Sequence, residues 1–209
     1  MATDETDWEA RWRAGQTGWD QGASPPVLID LVETGRLPRG RALVPGCGAG
    51  YDVLTLSANG EREVVGTEIS STALSRFETL RERLGVGADR ARVVLADFFA
   101  FAPESPFDLI WDYTFLCAVP PARRPEWAAK VASLLAPDGV LATLIFPVRA
   151  DVRPTLDDPG EGPPYPMHPD HVRELVAPHR FREVLLEPVA QSHPSRQGME
   201  WIGLWKRGA

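Results

Sequence analysis

Three glycines at alternating positions, Gly46, Gly48 and Gly50, stand in the stretch PGCGAGYD directly after a short apolar run, and Glu68 closes the next such run about twenty residues on. Without a Cβ, backbone in such a loop can approach a ligand closely, and a helix starting there presents free amides. A carboxylate at the carboxyl edge of the adjacent strand is placed to accept both ribose hydroxyls of an adenosine cofactor. Each feature also has a plain structural reading, a tightly packed turn for the glycines and a surface acid for Glu68. Taken together they admit two cofactors, a dinucleotide and S-adenosylmethionine.

Three features favour the second. The loop reads G-x-G-x-G and lacks the last glycine of the pyrophosphate fingerprint G-x-G-x-x-G. The third apolar run ends in Ala96-Asp97-Phe98, an acid for an exocyclic adenine amine beside an aromatic ring for the adenine face. After the fifth run the chain offers a loop, a short helix and two strands, but no substrate domain of the kind a dehydrogenase carries.

These residues need a sheet to hold them. Apolar runs at ALVP (42–45), EVVGT (63–67), RVVLA (92–96), FDLIWD (107–112) and VLATLIF (140–146) alternate with helical patterns, as βαβ units of a mostly parallel sheet do. In ISSTALSRFETLRERLG, the residues Ala73, Leu74, Phe77, Leu80 and Leu84 recur at helical spacing, with Ser70 or Ser71 as N-cap and Gly85 as the stop. PEWAAKVASLLA repeats the pattern with Pro125 in its first turn, and Pro137-Asp138-Gly139 turns the chain into the next strand. Residues 149–170 are rich in Pro, Gly and Asp and read as a long functional or disordered loop; HVRELVA then forms a short helix, and EVLLEPVA and EWIGLWK pair as final strands.

Ahead of all this, DWEARWRAGQTGWDQG places Trp8, Trp12 and Trp19, three of the chain's seven tryptophans, before the first strand. Trp8 and Trp12 are four apart and share one helix face. Indole offers the best π-face for a cation such as a sulfonium; the alternative is an amphipathic helix docking its apolar stripe.

Bulk properties narrow the partners. At 209 residues the chain reads as one domain, and a net charge of -7 without a basic cluster argues against nucleic acid. No stretch approaches the ~20 apolar residues of a membrane span. The first residues, MATDETDWEARW, lack the basic and apolar regions of a signal peptide, and Cys47 and Cys117 form no disulfide framework or zinc pattern, so a reducing cytoplasm is expected. His168, His171 and His179 match no standard zinc spacing and read as capping or solvent-facing side chains. Cys117 reads as a small buried apolar residue, Cys47 as part of a tight loop, and Asp157-Asp158 as a solvated loop.

The stretches WEARW, GWDQG, RALVPGCGAGYDV, VVGTEIS, FDLIWDYTFLCAV, LLAPDGVLATLIFPV, GPPY and GLWK, in this order from Trp8 to Lys206, make the chain resemble the thiopurine S-methyltransferase family of class I methyltransferases, most closely its thiol, halide and thiocyanate branch. The resemblance implies a three-layer α/β, Rossmann-like sheet with an antiparallel last strand, and one domain over 1–209 in which 1–24 close as a lid over S-adenosylmethionine and 25–209 form the core. It implies cofactor contacts from Trp8, Trp12, Trp19, Gly46, Glu68, Asp97, Phe98 and Tyr113. Thiopurine enzymes have Asp-Arg where this chain has Asp112-Tyr113, which makes a thiopurine acceptor less favoured. Expected instead is a small-molecule methyl acceptor, a thiol, hydrosulfide, halide or thiocyanate, taken by a monomer with no metal, nucleic acid or membrane. An acceptor that is already an anion needs no general base. Tyr165, after Gly162-Pro163-Pro164, is the candidate for touching that acceptor, its hydroxyl donating and its ring excluding water; it reads otherwise as a loop tyrosine capping the domain.

Overall fold

The computed structural model describes residues 6–149 and 160–208. The five apolar runs become β1 (Gly40–Val44), β2 (Arg62–Glu68), β3 (Ala91–Leu95), β4 (Phe107–Tyr113) and β5 (Leu135–Ile145). The two C-terminal runs become β6 (Phe181–Pro188) and β7 (Trp201–Arg207). They form one sheet in the order β3-β2-β1-β4-β5-β7-β6, with β1 to β5 parallel and β7 antiparallel to both its neighbours. The order reverses between β1 and β4, and in such sheets the crevice beyond the carboxyl ends of the strands at that point is where ligands bind.

Helices cover both faces because both faces of the central strands are apolar. On one side pack α2 (Pro26–Glu33), α3 (Tyr51–Ser57) and α4 (Ser71–Arg83), through Leu28, Leu31, Val53, Leu56 and Phe77. On the other, α5 (Arg124–Leu134) and α6 (Pro169–Val176) bury Trp127, Val131, Val172 and Val176. Three layers result, the architecture expected of a Rossmann-like methyltransferase.

The local signals mostly act where they were read. Ser70, not Ser71, caps α4 by accepting the Ala73 N–H at 3.1 Å, and Gly85 turns the chain out of it with φ +66. His168 caps α6, its Nδ1 accepting the Asp170 N–H at 3.2 Å. One strand differs: β5 starts at Leu135, not 140. Leu135 pairs Phe107, Val140 pairs Leu109, and the Pro-Asp-Gly turn loops out between them with Asp138 at φ +65. The turn is real, but it is a bulge inside the ladder because the residues on both sides still find partners on β4. Asp157-Asp158 lie outside the described residues.

The tryptophan-rich segment contributes α1 (Trp8–Arg13), which packs on α4 through Trp12 and is tied to it by one carboxylate. Glu9 Oε2 accepts the Ser70 hydroxyl at 2.6 Å and the Thr72 N–H at 3.1 Å, while Oε1 accepts the Thr72 hydroxyl at 2.7 Å. These donors hold the Glu9 carboxyl down at about 2. At the first-strand loop, Gly66 is glycine because a Cβ there would sit 2.5 Å from Cys47 Sγ and 3.0 Å from Val93.

Two outcomes follow. Gly66→Ala lowers stability by about 1–3 kcal/mol through overpacking, read by denaturant unfolding, and Cys47→Ala in the same chain restores most of it. Glu9 anchors α1 fully above its ordinary value of 4.5 and releases it as pH falls through about 2, because its folded pKa is the lower one. Tryptophan emission should therefore report a low-pH transition that Glu9→Gln abolishes, the variant showing a loosened α1 at every pH.

Candidate active site

A cavity of about 1080 Å³ opens at the carboxyl ends of the strands, floored by the glycine loop and the ends of β1, β2 and β4, and walled by the N-terminal segment. Every residue expected to contact the cofactor or the acceptor lies on its lining: Trp8, Trp12, Trp19, Gly46, Glu68, Asp97, Phe98, Tyr113 and Tyr165.

The glycine loop follows β1 because Cys47 N–H donates to Thr67 O at 3.0 Å, folding the loop back over the end of β2. Gly46 has φ +52, and a Cβ there would sit 2.3 Å from the Phe115 ring, so both conformation and space require glycine. Glu68, nearly buried, is held by three amides: Gly48 N–H at 2.8 Å on Oε2, and Ile69 N–H at 2.8 Å and Ser70 N–H at 2.9 Å on Oε1. Burial pushes its carboxyl above the usual range and the amides pull against that. A carboxylate has about four lone-pair sites, so acceptor capacity remains on the cavity side.

At the end of β3, Asp97 is exposed and its Oδ1 accepts the Phe99 N–H at 2.9 Å. Phe98 is buried in a corner with Phe99 and Phe115, ring centroids 5.4 and 5.0 Å away. An adenine-sized ring system could be held between this acid and this aromatic corner.

The three N-terminal indoles form one cluster, with Trp19 edge-on to Trp8 at 5.1 Å and to Trp12 at 5.8 Å. Their roles divide. Trp12 is buried against Ala49 and Ala73, so the docking stripe read as the alternative is real for this residue. Trp8 and Trp19 stay half-buried, with the Arg11 guanidinium 5.8 Å from each ring. Both functions therefore come from one segment.

The end of β4 is fixed from beneath. Asp112, buried, accepts the Leu116 N–H at 3.0 Å and the Trp127 indole N–H at 2.9 Å, and burial raises its carboxyl to about 6. Thr114 sits at φ +62, rare for a β-branched residue, in a segment lining the cavity. Tyr113 donates its hydroxyl to Glu200 Oε1 at 2.7 Å, and burial drives its phenol above the ordinary range, so it stays protonated. Cys117 is buried with its thiol pushed up to about 12, an inert wall residue as read from the sequence. Its carbonyl accepts the Tyr165 N–H at 2.7 Å, which pins the Tyr165 loop over the site, with the buried Arg124 guanidinium 5.8 Å from the Tyr165 ring.

Arg196 escaped the sequence reading. Only 3% exposed, it lines the cavity with its guanidinium 4.9 Å from the Tyr113 ring and 4.4 Å from Phe146. One Nη2–H donates to Trp19 O at 2.6 Å, Glu200 Oε1 lies 4.0 Å from Nη1, and Nη1 has no hydrogen-bond partner. The neighbouring Ser195 hydroxyl donates to Gln21 Oε1 at 2.6 Å, so this turn also fastens the N-terminal segment. No spacing signal could have found Arg196, because its partners come from β4 and the far N-terminus. Asp52 was likewise quoted only as the end of the glycine stretch, yet it lines the cavity. Among the described residues, no group of three or more His, Cys, Asp or Glu side chains is arranged to hold a metal, and no helix is long and apolar enough to cross a membrane.

Comparison with known proteins agrees with this geometry. The thiopurine S-methyltransferase (TPMT) family model matches residues 3–202. The probable thiol methyltransferase 2 of Arabidopsis thaliana is 42% identical over 206 residues, spanning 97% of this chain and 85% of that protein. Thiocyanate methyltransferase 1 of the same plant is 41% identical, over 98% and 86%. Among solved structures, the 1,6-didemethyltoxoflavin-N1-methyltransferase of Burkholderia thailandensis, with S-adenosylhomocysteine bound, superposes with a TM-score of 0.71 at 17% identity, covering 96% of this chain and 85% of that one. With a doubly wound sheet, a glycine loop, an acid closing β2 and relatives this similar along nearly its whole length, the chain belongs to the thiopurine S-methyltransferase family of S-adenosylmethionine-dependent methyltransferases.

Proposed function

We propose that this chain transfers the methyl group of S-adenosylmethionine to a small soft nucleophile that arrives as an anion, such as thiocyanate, halide, hydrosulfide or a thiolate. The observation that carries this reading is Arg196, a buried guanidinium on the cavity wall with one N–H unspent, in a site whose phenol and thiol cannot take a proton near neutrality. The names of the plant relatives, thiol and thiocyanate methyltransferases, support the same acceptor class.

The cavity suits the cofactor. Glu68 is the candidate for the ribose hydroxyls, Asp97 and Phe98 for the adenine, the Gly46 loop for close backbone approach, and Trp8, Trp12, Trp19 and Tyr113 for the sulfonium end. Residues 1–24 act as a lid over the 25–209 core, a division supported by the two ties at Glu9 and at Ser195-Arg196. When bound, the cofactor supplies an electrophilic methyl on a cationic sulfur whose departure as a neutral thioether calls for no proton.

The chain's own task is therefore positioning and drying. Arg196 gathers the anion by a charge-assisted hydrogen bond, and the Tyr113 and Phe146 faces keep that guanidinium from water. Tyr165 closes the cavity from the opposite loop, its hydroxyl available to donate and its place fixed through Cys117 O. Alignment of two reactants in such a site can supply about 7–11 kcal/mol. A monomer acting on a small-molecule acceptor remains our reading, and two free thiols suit a reducing cytoplasm.

Tyr165→Phe should lower turnover more than it weakens cofactor affinity; unchanged turnover would remove the hydroxyl from the site. Arg196→Gln should raise the KM for thiocyanate by about 10- to 100-fold, the loss expected for one hydrogen bond to a charged group. With saturating cofactor, kcat for thiocyanate should stay flat from about pH 7 to about pH 9, the interval in which neither partner has a proton to exchange. A sloping profile there would show a titrating base and contradict the reading.

A further inference from the structure

Asp52 is a cavity carboxylate with no part in the cofactor contacts proposed above. It sits in the first turn of α3, directly after the glycine loop, and lines the cavity. Its Oδ2 accepts the Trp111 indole N–H at 2.8 Å. The nearby Ser24 hydroxyl, 2.8 Å from the Thr55 hydroxyl, helps to draw the carboxyl down. Both groups are neutral. Among the described residues no cation makes an ion pair with it; Arg196 acts on it only at longer range, and Cys47 and Tyr113 also face it. Burial accordingly raises its carboxyl to about 6.

The other acids of the cavity each accept a backbone amide: Asp7 from Ala10, Glu9 from Thr72, Asp20 from Gly22, Asp97 from Phe99, and Glu68 from three. A carboxylate directed by the Trp111 indole, lining a cavity and unbalanced in charge, is built to receive a cation. The methyl donor carries two cationic groups. A sulfonium has no N–H to give and is matched by the indole faces, whereas an α-ammonium brings three donors and needs an acceptor.

We propose that Asp52 receives the α-ammonium of the methionine moiety of S-adenosylmethionine, with Trp111 holding its carboxylate in line. The assignment rests on the cofactor placement proposed above and extends it to the amino-acid end, which none of the residues read from the sequence serves with a charge.

Calorimetric titration of wild type and Asp52→Asn with three ligands tests this: S-adenosylmethionine, S-adenosylhomocysteine, which keeps the ammonium and loses the sulfonium charge, and 5′-methylthioadenosine, which lacks the amino acid altogether. The expected result is a loss of about 10- to 100-fold for the first two and less than about twofold for the third. Asp52→Glu should recover part of the preference for S-adenosylhomocysteine over 5′-methylthioadenosine, a ratio that a general folding defect does not move. Equal losses for all three ligands, a loss confined to S-adenosylmethionine, or no loss at all would each overturn the proposal. Wild type binding neither S-adenosylmethionine nor S-adenosylhomocysteine would overturn the cofactor placement itself.

Discussion

The Glu68 carboxylate, almost wholly withdrawn from water, joins three parts of the chain that would otherwise be independent. Through Gly48 it sets the curvature of the glycine loop; through Ile69 and Ser70 it sets the direction in which the chain leaves β2. Ser70 then caps α4 and donates to Glu9, and Glu9 carries α1 with its indoles. One buried acid thus reaches, by consecutive hydrogen bonds, from the sheet to α1. Its desolvation is costly, and three amides offset that cost only in the geometry that also forms the cavity.

The opposite side of the cavity is organised by charge in the same economical way. Arg196 and Glu200 are both buried, and each keeps an unpaired polar atom, Nη1 and Oε2. A buried guanidinium whose hydrogen bonds are incomplete is costly, and the proposed anionic acceptor would offset that cost. Tyr113, protonated and committed to Glu200, supports this pair rather than competing with it. The position where thiopurine enzymes carry arginine next to the aspartate is tyrosine here, and a guanidinium from the distant C-terminal turn lies against its ring instead.

Much of this was legible in the sequence because it is local. The parallel sheet, the cap at Ser70, the stop at Gly85 and the glycine loop each rest on residues within a few positions of one another, and periodicity or backbone sterics report them directly. Glu68 was visible because its distance from the loop is set by one βαβ unit. Arg196 bonds to a carbonyl 177 positions away and Tyr113 to an acid 87 positions away, separations on which no periodic pattern bears. The start of β5 was misplaced for a related reason: Pro-Asp-Gly correctly signals a turn, but whether a turn ends a strand or bulges within it depends on the neighbouring strand's register. Of the two readings of the tryptophan segment, docking holds for Trp12, which is buried, while Trp8 and Trp19 stay half-buried on the cavity lining.

The central claim is that desolvation and alignment of an anion, not proton removal, drive the reaction. The most direct measurement is incubation with methyl-labelled S-adenosylmethionine against iodide, thiocyanate, hydrosulfide, thiophenol and a thiopurine, trapping volatile product and comparing kcat/KM. The account predicts methylation of thiocyanate, iodide and hydrosulfide well ahead of the thiopurine; transfer confined to the thiopurine, or to none of the five, would contradict it.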